Sequence, residues 1–326
     1  NRRTNMSHVF NHPGVNLESK LSNLLLNEMP DIESSLYSAA IHHFQTPGKA
    51  FRAHLALSSG IALKLEPESF LEWAAACELL HNASLVHDDI SDASTHRRGR
   101  PSVNHHFGKD VALCLGDWMI AKAFELASRH HQYGGKLTSI LSSVMQETCN
   151  GQVSDTVQRR ISSLHSWQSI AKSKTAPLLM APIEGVASIA KLDYQKESLE
   201  KIVGLCGLAY QGRNDIDDIV PSTQKSSDLI GRKPNLVISL YAANNQYKTD
   251  SFIEWYNSND IGAAGKWQKI IGVSDAIQQS NSLVDTWLTE ANHSITTMPE
   301  SLHNTLKHIV DSVKLPVKKI SRNRLA

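Results

Sequence analysis

The chain is 326 residues long and 36.0 kDa, and its 41% of hydrophobic residues can fill a sizeable core without requiring more than one domain. Lys and Arg number 33 against 32 Asp and Glu, a formal charge of +1, so no overall field argues for nucleic acid or an anionic membrane as partner. Any polyanion has to be bound locally.

The four cysteines, Cys77, Cys114, Cys149 and Cys206, stand singly in apolar helical stretches without C-x-x-C spacing. Buried free thiols in a reducing cytosol are expected, not a disulfide framework or a zinc site. No window approaches the ~18 uncharged apolar residues of a membrane span. Residues 1–6 lack the apolar core of a secretory signal, so a cytoplasmic protein is expected.

Apolar residues recur at three- and four-residue spacing through 17–43, 49–64, 67–92, 109–130, 136–158, 164–190 and 195–220. The same spacing continues through 236–247, 260–295 and 299–313, and strand-like alternation is scarce. The fold class is therefore all-α. Gly and Pro mark the breaks at Pro47-Gly48, Gly99 to Pro101, Tyr133-Gly134-Gly135, Pro221 and Lys233-Pro234. With no repeat or low-complexity linker, one helical domain over 1–326 is expected, poorly ordered over 1–15 and ending in a basic tail over 314–326.

Two acidic clusters stand out in this pattern: Asp88-Asp89-Ile90-Ser91-Asp92 and Asn214-Asp215-Ile216-Asp217-Asp218. On a helix the first and fifth residues share a face and the second lies ~100° round, so three oxygen-bearing groups can approach one point. Crowded carboxylates repel, and hard divalent cations, above all Mg²⁺, would neutralise them. Soon after the first cluster comes Arg97-Arg98-Gly99-Arg100. Magnesium and guanidinium together are what hold a diphosphate. The pairs His42-His43, His105-His106 and His130-His131 are spaced i,i+1, do not share a helix face, and are expected at the surface.

Further segments occur in a fixed order: Gly48-Lys49-Ala50-Phe51-Arg52; Glu78-Leu79-Leu80-His81 leading to the first cluster; Gly116-Asp117; Lys174-Thr175-Ala176; Gly207-Leu208-Ala209-Tyr210-Gln211 before the second cluster; and Asp228-Leu229 before Lys233. Over residues 45–240 the ordered set resembles the trans-isoprenyl diphosphate synthases, which join isopentenyl diphosphate to an allylic diphosphate. The resemblance implies a single large helical bundle of the isoprenoid-synthase type with a central active-site cavity, and a homodimer.

It also implies roles for individual residues. Lys49, Arg52, His81 and Arg98 would take the diphosphate of isopentenyl diphosphate. Arg97, Lys174, Thr175, Gln211 and Lys233 would take that of the allylic substrate. Metal would fall to Asp88, Asp89, Asp92, Asn214, Asp215 and Asp218, with about three Mg²⁺ per site, and catalysis to Asp88, Asp89, Lys174 and Gln211. Ala83, Ser84, Met119 and Ala123 would form the wall that sets chain length. Ala83 and Ser84 are small where makers of short products carry a ring, which implies a product of about C20, geranylgeranyl, or longer. The basic tail, with Lys318, Lys319, Arg322 and Arg324, would close over the site.

Departures from the family pattern are Asn214 for Asp, Ala50 for Arg, Ala53 for Pro, and Asn235 and Val237 for Thr and Pro. Two alternatives remain open at this stage. A class I terpene cyclase would share the metal motif, but Asp218 and Ser222 depart from its usual second motif. A non-catalytic partner subunit of a prenyl synthase would account for Asn214.

Overall fold

The computed structural model describes residues 11–12, 15–45, 48, 50–157, 160–220, 225–244, 250–258 and 260–314. Lys49, most of 1–15 and the tail beyond Lys314 lie outside the described residues. Two-residue strands β1 (Asn11–His12) and β2 (Val15–Asn16) pair antiparallel ahead of α1 (Leu17–Asn27). Asn16 caps α1 by accepting the Ser19 N–H at 3.1 Å. The helical run expected over 17–43 is broken after α1, because Pro30 cannot continue a helix and Asp31 turns the chain by accepting the Glu33 N–H at 2.9 Å. Ser34 then caps α2 (Ser35–Phe44).

Next come α3 (Phe51–Ala62), a 3₁₀ turn at Pro67–Ser69 and α4 (Leu71–Ser91). Strands β3 (His96–Arg97) and β4 (Arg100–Pro101) form a tight hairpin with Arg98 and Gly99 at its tip, both at positive φ. The rest are α5 (Val103–Phe107), α6 (Lys109–Ser128), α7 (Gly134–Val157), α8 (Leu164–Ile189), α9 (Lys196–Ile219), α10 (Ser227–Gly231), α11 (Leu236–Ala243), α12 (Asp250–Tyr256), α13 (Ala264–Gly272), α14 (Asp275–Ser294) and α15 (His303–Lys314). The run expected over 260–295 divides at Val273-Ser274, where Ser274 Oγ–H donates to Ile271 O at 2.7 Å and ends α13. The short helices α5, α10 and α12 lack the length for a visible period.

The described residues divide into two compact units, one of those up to 144 with 178–194, the other of those in 145–177 and 195–314. In the first, α4 packs along α6 and against α3. It is buried nearly all round, which is why its sequence is apolar on every face until the aspartates. In the second, α9 packs along α14 and against α11 and α15, and Trp167 stacks on Trp287 with ring centroids 5.8 Å apart.

Cys77 and Cys206 are buried as expected, but Cys114 and Cys149 are exposed on α6 and α7. An apolar stretch does not tell which face of its helix turns inward. Among the described residues, no helix is long and apolar enough to cross a membrane.

Candidate active site

In the first unit the α4 C-terminus carries half-buried Asp88, buried Asp89 and exposed Asp92, the last as C-cap with its N–H donating to Asp88 O at 2.8 Å. A helix C-terminus is the negative end of the helix dipole, so carboxylates there raise the local negative potential. Asp89, 3% exposed, turns toward the hairpin. Arg97 meets it as a fork, Nε donating to Oδ2 at 2.7 Å and Nη2 to Oδ1 at 2.8 Å. The hairpin is fixed in place by Ser102 Oγ–H donating to Ser94 O at 2.6 Å and by Asn104 Nδ2 donating to Asp89 O and Ser94 O, each at 3.2 Å.

Arg98, next in the turn, lies against Gly48, where a Cβ would stand 2.5 Å from its Nη2. A side chain there would oblige the guanidinium to shift. Burial first, and Arg97 second, lower the Arg98 pKa, while Glu78 and Asp89 oppose them. Glu78 is buried; it accepts the Ala53 N–H in the first turn of α3 at 3.2 Å and Asn82 Nδ2 at 3.1 Å. It thereby supplies the cap that Ala50 cannot. Asn82 Oδ1 in turn accepts from His43 Nε2 at 2.9 Å, which places the ring proton on that nitrogen.

Burial pushes His43 down to about 4, with Arg98 and Arg97 acting the same way and Asn82 against, so the ring is neutral. His81 is also neutral: burial, then Arg52 and Arg98, hold it well below the usual imidazole range. Its Nδ1 is buried and, among the described residues, has no hydrogen-bond partner. Arginine charge therefore acts on a histidine that carries none. His43 corrects the expectation of surface histidines, since its ring is 8% exposed, and His42 is half-buried with Nε2 2.8 Å from Pro101 O.

His87, adjacent to the first cluster, lies over Gly116, where a Cβ would meet its ring at Nε2, and stands 3.6 Å from Asp117 Oδ1. Ala83, Met119 and Ala123 lie in the packed interior of this unit, and half-buried Ser84 donates its hydroxyl to His81 O at 2.7 Å.

In the second unit α9 presents half-buried Asn214, buried Asp215, exposed Asp217 and half-buried Asp218. Asp215, 1% exposed, accepts Gln211 Nε2 at 2.9 Å, Trp167 Nε1 at 2.8 Å and the Leu236 N–H at 2.7 Å. Asp218 accepts the Ser226 hydroxyl, and the Ser227 N–H and hydroxyl at 2.9 Å each. Burial, and after it Asp228, raise Asp215 well above the usual carboxylate range. Asp228 is itself pushed up to about 7 by burial and then by Asp218, with Asn235 and Lys233 opposing. Lys174 on α8 donates to Asp155 Oδ2 on α7 at 2.7 Å, with buried Thr175 beside it.

Asp89, Asp215 and Asp218, all expected among the metal ligands, thus have both carboxylate oxygens engaged by protein donors. Among the described residues no three His, Cys, Asp or Glu side chains form a group that could hold a metal ion. Helix periodicity does not show which donors the folded chain brings to each acid.

Comparison with known proteins settles the family. The polyprenyl synthetase model matches residues 33–285. The chain belongs to the polyprenyl synthetase family. These are the trans-isoprenyl diphosphate synthases, and the chain is accordingly a prenyltransferase. A short chain isoprenyl diphosphate synthase of Methanocaldococcus jannaschii is 31% identical over 69% of this chain and 72% of its own length. A nonaprenyl diphosphate synthase of Mycobacterium tuberculosis is 29% identical over 65% of this chain and 64% of its own.

In fold, a Caulobacter crescentus polyprenyl synthase solved with calcium and isoprenyl diphosphate superposes with a TM-score of 0.80 at 23% identity. It covers 92% of this chain and 95% of that one. A decaprenyl diphosphate synthase from Rhodobacter capsulatus gives 0.79 at 20%, covering 91% and 96%. These likenesses establish the all-α isoprenoid-synthase fold. The relatives' products run from short to decaprenyl, so kinship alone does not set this synthase's product length.

Several synthase residues escaped sequence reasoning. Asp155 and Trp167 sit in ordinary helical runs, and Trp167 meets Asp215 from 48 positions away. Glu78 was visible only as part of a motif; its chain to Asn82 and His43 was not. Asn235, noted as a departure, is the N-cap of α11: its Oδ1 accepts the Val237 and Ile238 N–H groups at 2.9 and 3.2 Å. For that last residue the signal existed, an Asn directly before an apolar run.

Proposed function

We propose that this synthase condenses isopentenyl diphosphate with an allylic diphosphate, head to tail and trans, to give a polyprenyl diphosphate of about C20 or longer. We further propose that it uses Mg²⁺ and works as a cytoplasmic homodimer. The observation that carries the proposal is the cationic pocket of the first unit. Arg52 and Arg98 both act electrostatically on a neutral His81 whose Nδ1, among the described residues, has no hydrogen-bond partner. An anion with several oxygens would engage both guanidinium groups and give the imidazole a partner. Held by side chains alone, a diphosphate there stays on its carbon, which suits isopentenyl diphosphate, the substrate that keeps it.

The allylic substrate loses its diphosphate and needs stronger neutralisation. Asp88 and Asp92, one turn apart at the negative end of α4, would hold Mg²⁺ on it. Hard oxygen donors with surplus charge fit a hard cation. When bound, Mg²⁺ would offset the charge gathering on the departing diphosphate. Arg97, fixed by Asp89, would present its remaining N–H groups to the same diphosphate; within the second unit, Lys174, Thr175, Gln211 and Lys233 offer donors of the kind a diphosphate takes.

The allylic C–O bond breaks, the isopentenyl double bond attacks the allylic carbon, and the proton then lost passes to the released diphosphate. No basic side chain is required. Small Ala83 and Ser84 support the longer product. The test is incubation of the purified chain with Mg²⁺, labelled isopentenyl diphosphate and C5, C10 or C15 allylic diphosphates, then chromatography of the dephosphorylated products. A ladder ending at one length is expected, and no incorporation with any starter would refute the proposal.

A further inference from the structure

Lys233 lies in the link 232–235 between α10 and α11, and each of these helices is tied to α9 by one acid of the second cluster. Asp218 serves α10. Its carboxylate accepts the Ser227 N–H and hydroxyl at 2.9 Å each, the Asp228 N–H at 3.3 Å, and the hydroxyl of the N-cap Ser226. Ser226 Oγ in turn accepts the Leu229 N–H at 3.0 Å. Asp215 serves α11, taking the Leu236 N–H at 2.7 Å while Trp167 donates to its Oδ2 and Gln211 to its Oδ1. The Asn235 amide bridges the two anchors, donating to Asp228 Oδ2 at 2.9 Å and to Asp215 O at 3.3 Å.

Between these anchors the backbone is pinned on both sides of Lys233. Arg232, at φ 54° and buried, donates to Leu229 O at 2.7 Å and Asp260 O at 2.9 Å, and its guanidinium lies 4.0 Å over the Trp255 ring. The Lys233 N–H donates to Asp228 O at 3.0 Å, and its carbonyl accepts the Tyr256 hydroxyl at 3.3 Å. A carboxylate offers about four acceptor sites. Asp218 has as many protein donors, Asp215 has three, and a cation would have to displace them.

We propose that Asp215 and Asp218 are positioning residues, which cap α11 and α10 and so fix the turn carrying Lys233, and that neither ligates a metal. The proposal rests on the reading of Lys233 as a diphosphate contact. It assigns the two acids a role in holding Lys233, and it makes Ser226, Asn235 and Trp167 part of the same support.

The test is calorimetric titration of inorganic diphosphate, with Mg²⁺ present, into the unaltered chain and into Ser226→Ala, Asp218→Asn, Lys233→Ala and Asp218→Asn/Lys233→Ala. The Mg²⁺ midpoint is then read for each at saturating diphosphate. Ser226→Ala removes a cap hydroxyl but no oxygen that a cation would use, and thermal melting checks that each variant is folded. Lys233→Ala and Asp218→Asn are each expected to weaken diphosphate by about ten-fold. The double variant should lose no more than either single, because the acid acts through the lysine. Ser226→Ala should lose part of the same affinity, with every Mg²⁺ midpoint unchanged.

Losses that multiply in the double variant would overturn the proposal. So would a raised Mg²⁺ midpoint in Asp218→Asn that Ser226→Ala and Lys233→Ala do not share. Failure of the unaltered chain to bind diphosphate would overturn the functional reading, and this inference with it.

Discussion

Replacing Asp89 by Asn keeps the size of the side chain, removes its charge and leaves Arg97 short of an acceptor. The carboxylate side chain is 4% exposed and takes both Arg97 bonds, at 2.7 and 2.8 Å. An amide oxygen can accept one of them, but the amide NH₂ would then face the other Arg97 donor. Breaking a fully buried pair costs about 3–5 kcal/mol. Arg97 is 29% exposed and water can reach it, so the expected loss is nearer ~2 kcal/mol. In a chain of this length that lowers the melting temperature by about 3 °C.

The assay is a double-mutant cycle with Arg97→Leu, read by thermal or denaturant unfolding. A coupling of about 1–2 kcal/mol is expected, since each single variant already forfeits the pair. In turnover, Asp89→Asn should cost as much as Arg97→Leu, and the double variant no more. A coupling within about 0.5 kcal/mol of zero would refute the assignment of Asp89 to Arg97.

Asp88→Ala should abolish Mg²⁺-dependent turnover with the helical circular dichroism unchanged; retained activity would remove Asp88 from the metal set. Ala83→Phe should shorten the product by about one isoprene unit, read by chromatography, because a ring then fills the wall beneath Asp88. His43 has a folded pKa of about 4, below its ordinary 6.5, so below 6.5 the unfolded chain binds the extra proton. Its stabilising contribution is complete above pH 6.5 and is lost as pH falls toward 4, by about 3 kcal/mol. His43→Gln should remove that rise of stability with pH from the unfolding profile and leave a net fall over the same window. Asp228, raised from 3.8 to about 7, acts in the opposite sense, losing stability as pH rises through that window, and the variant leaves it in place.

The all-α class was legible because three- and four-residue spacing is a local property, and α4, α6, α8 and α9 lie within a few residues of their expected bounds. The division of 17–43 was less visible, since Pro30 stands between two good periodic runs. At the site, sequence order carried the acids and arginines but not their pairing. Arg97 to Asp89, Trp167 to Asp215 and Ser226 to Asp218 are all choices made by the folded chain. Periodicity places a side chain on a face; it does not say which donor reaches that face first. His43 was misplaced for the same reason, as an i,i+1 pair can put one ring in the core and leave the other at its edge.

The β3–β4 hairpin sends two neighbouring arginines to different destinations, Arg97 to Asp89 and Arg98 to the bed made by Gly48. Loops that join helices usually accept added or missing residues. This one should not, because a single insertion or deletion between Asp92 and Asn104 would slide one arginine into the other's place and reverse the assignment of both. The segment therefore behaves as a measured spacer. A graft of this loop into a related scaffold should carry its length intact, together with Gly48 and Asp89, or it will deliver the right residues to the wrong addresses.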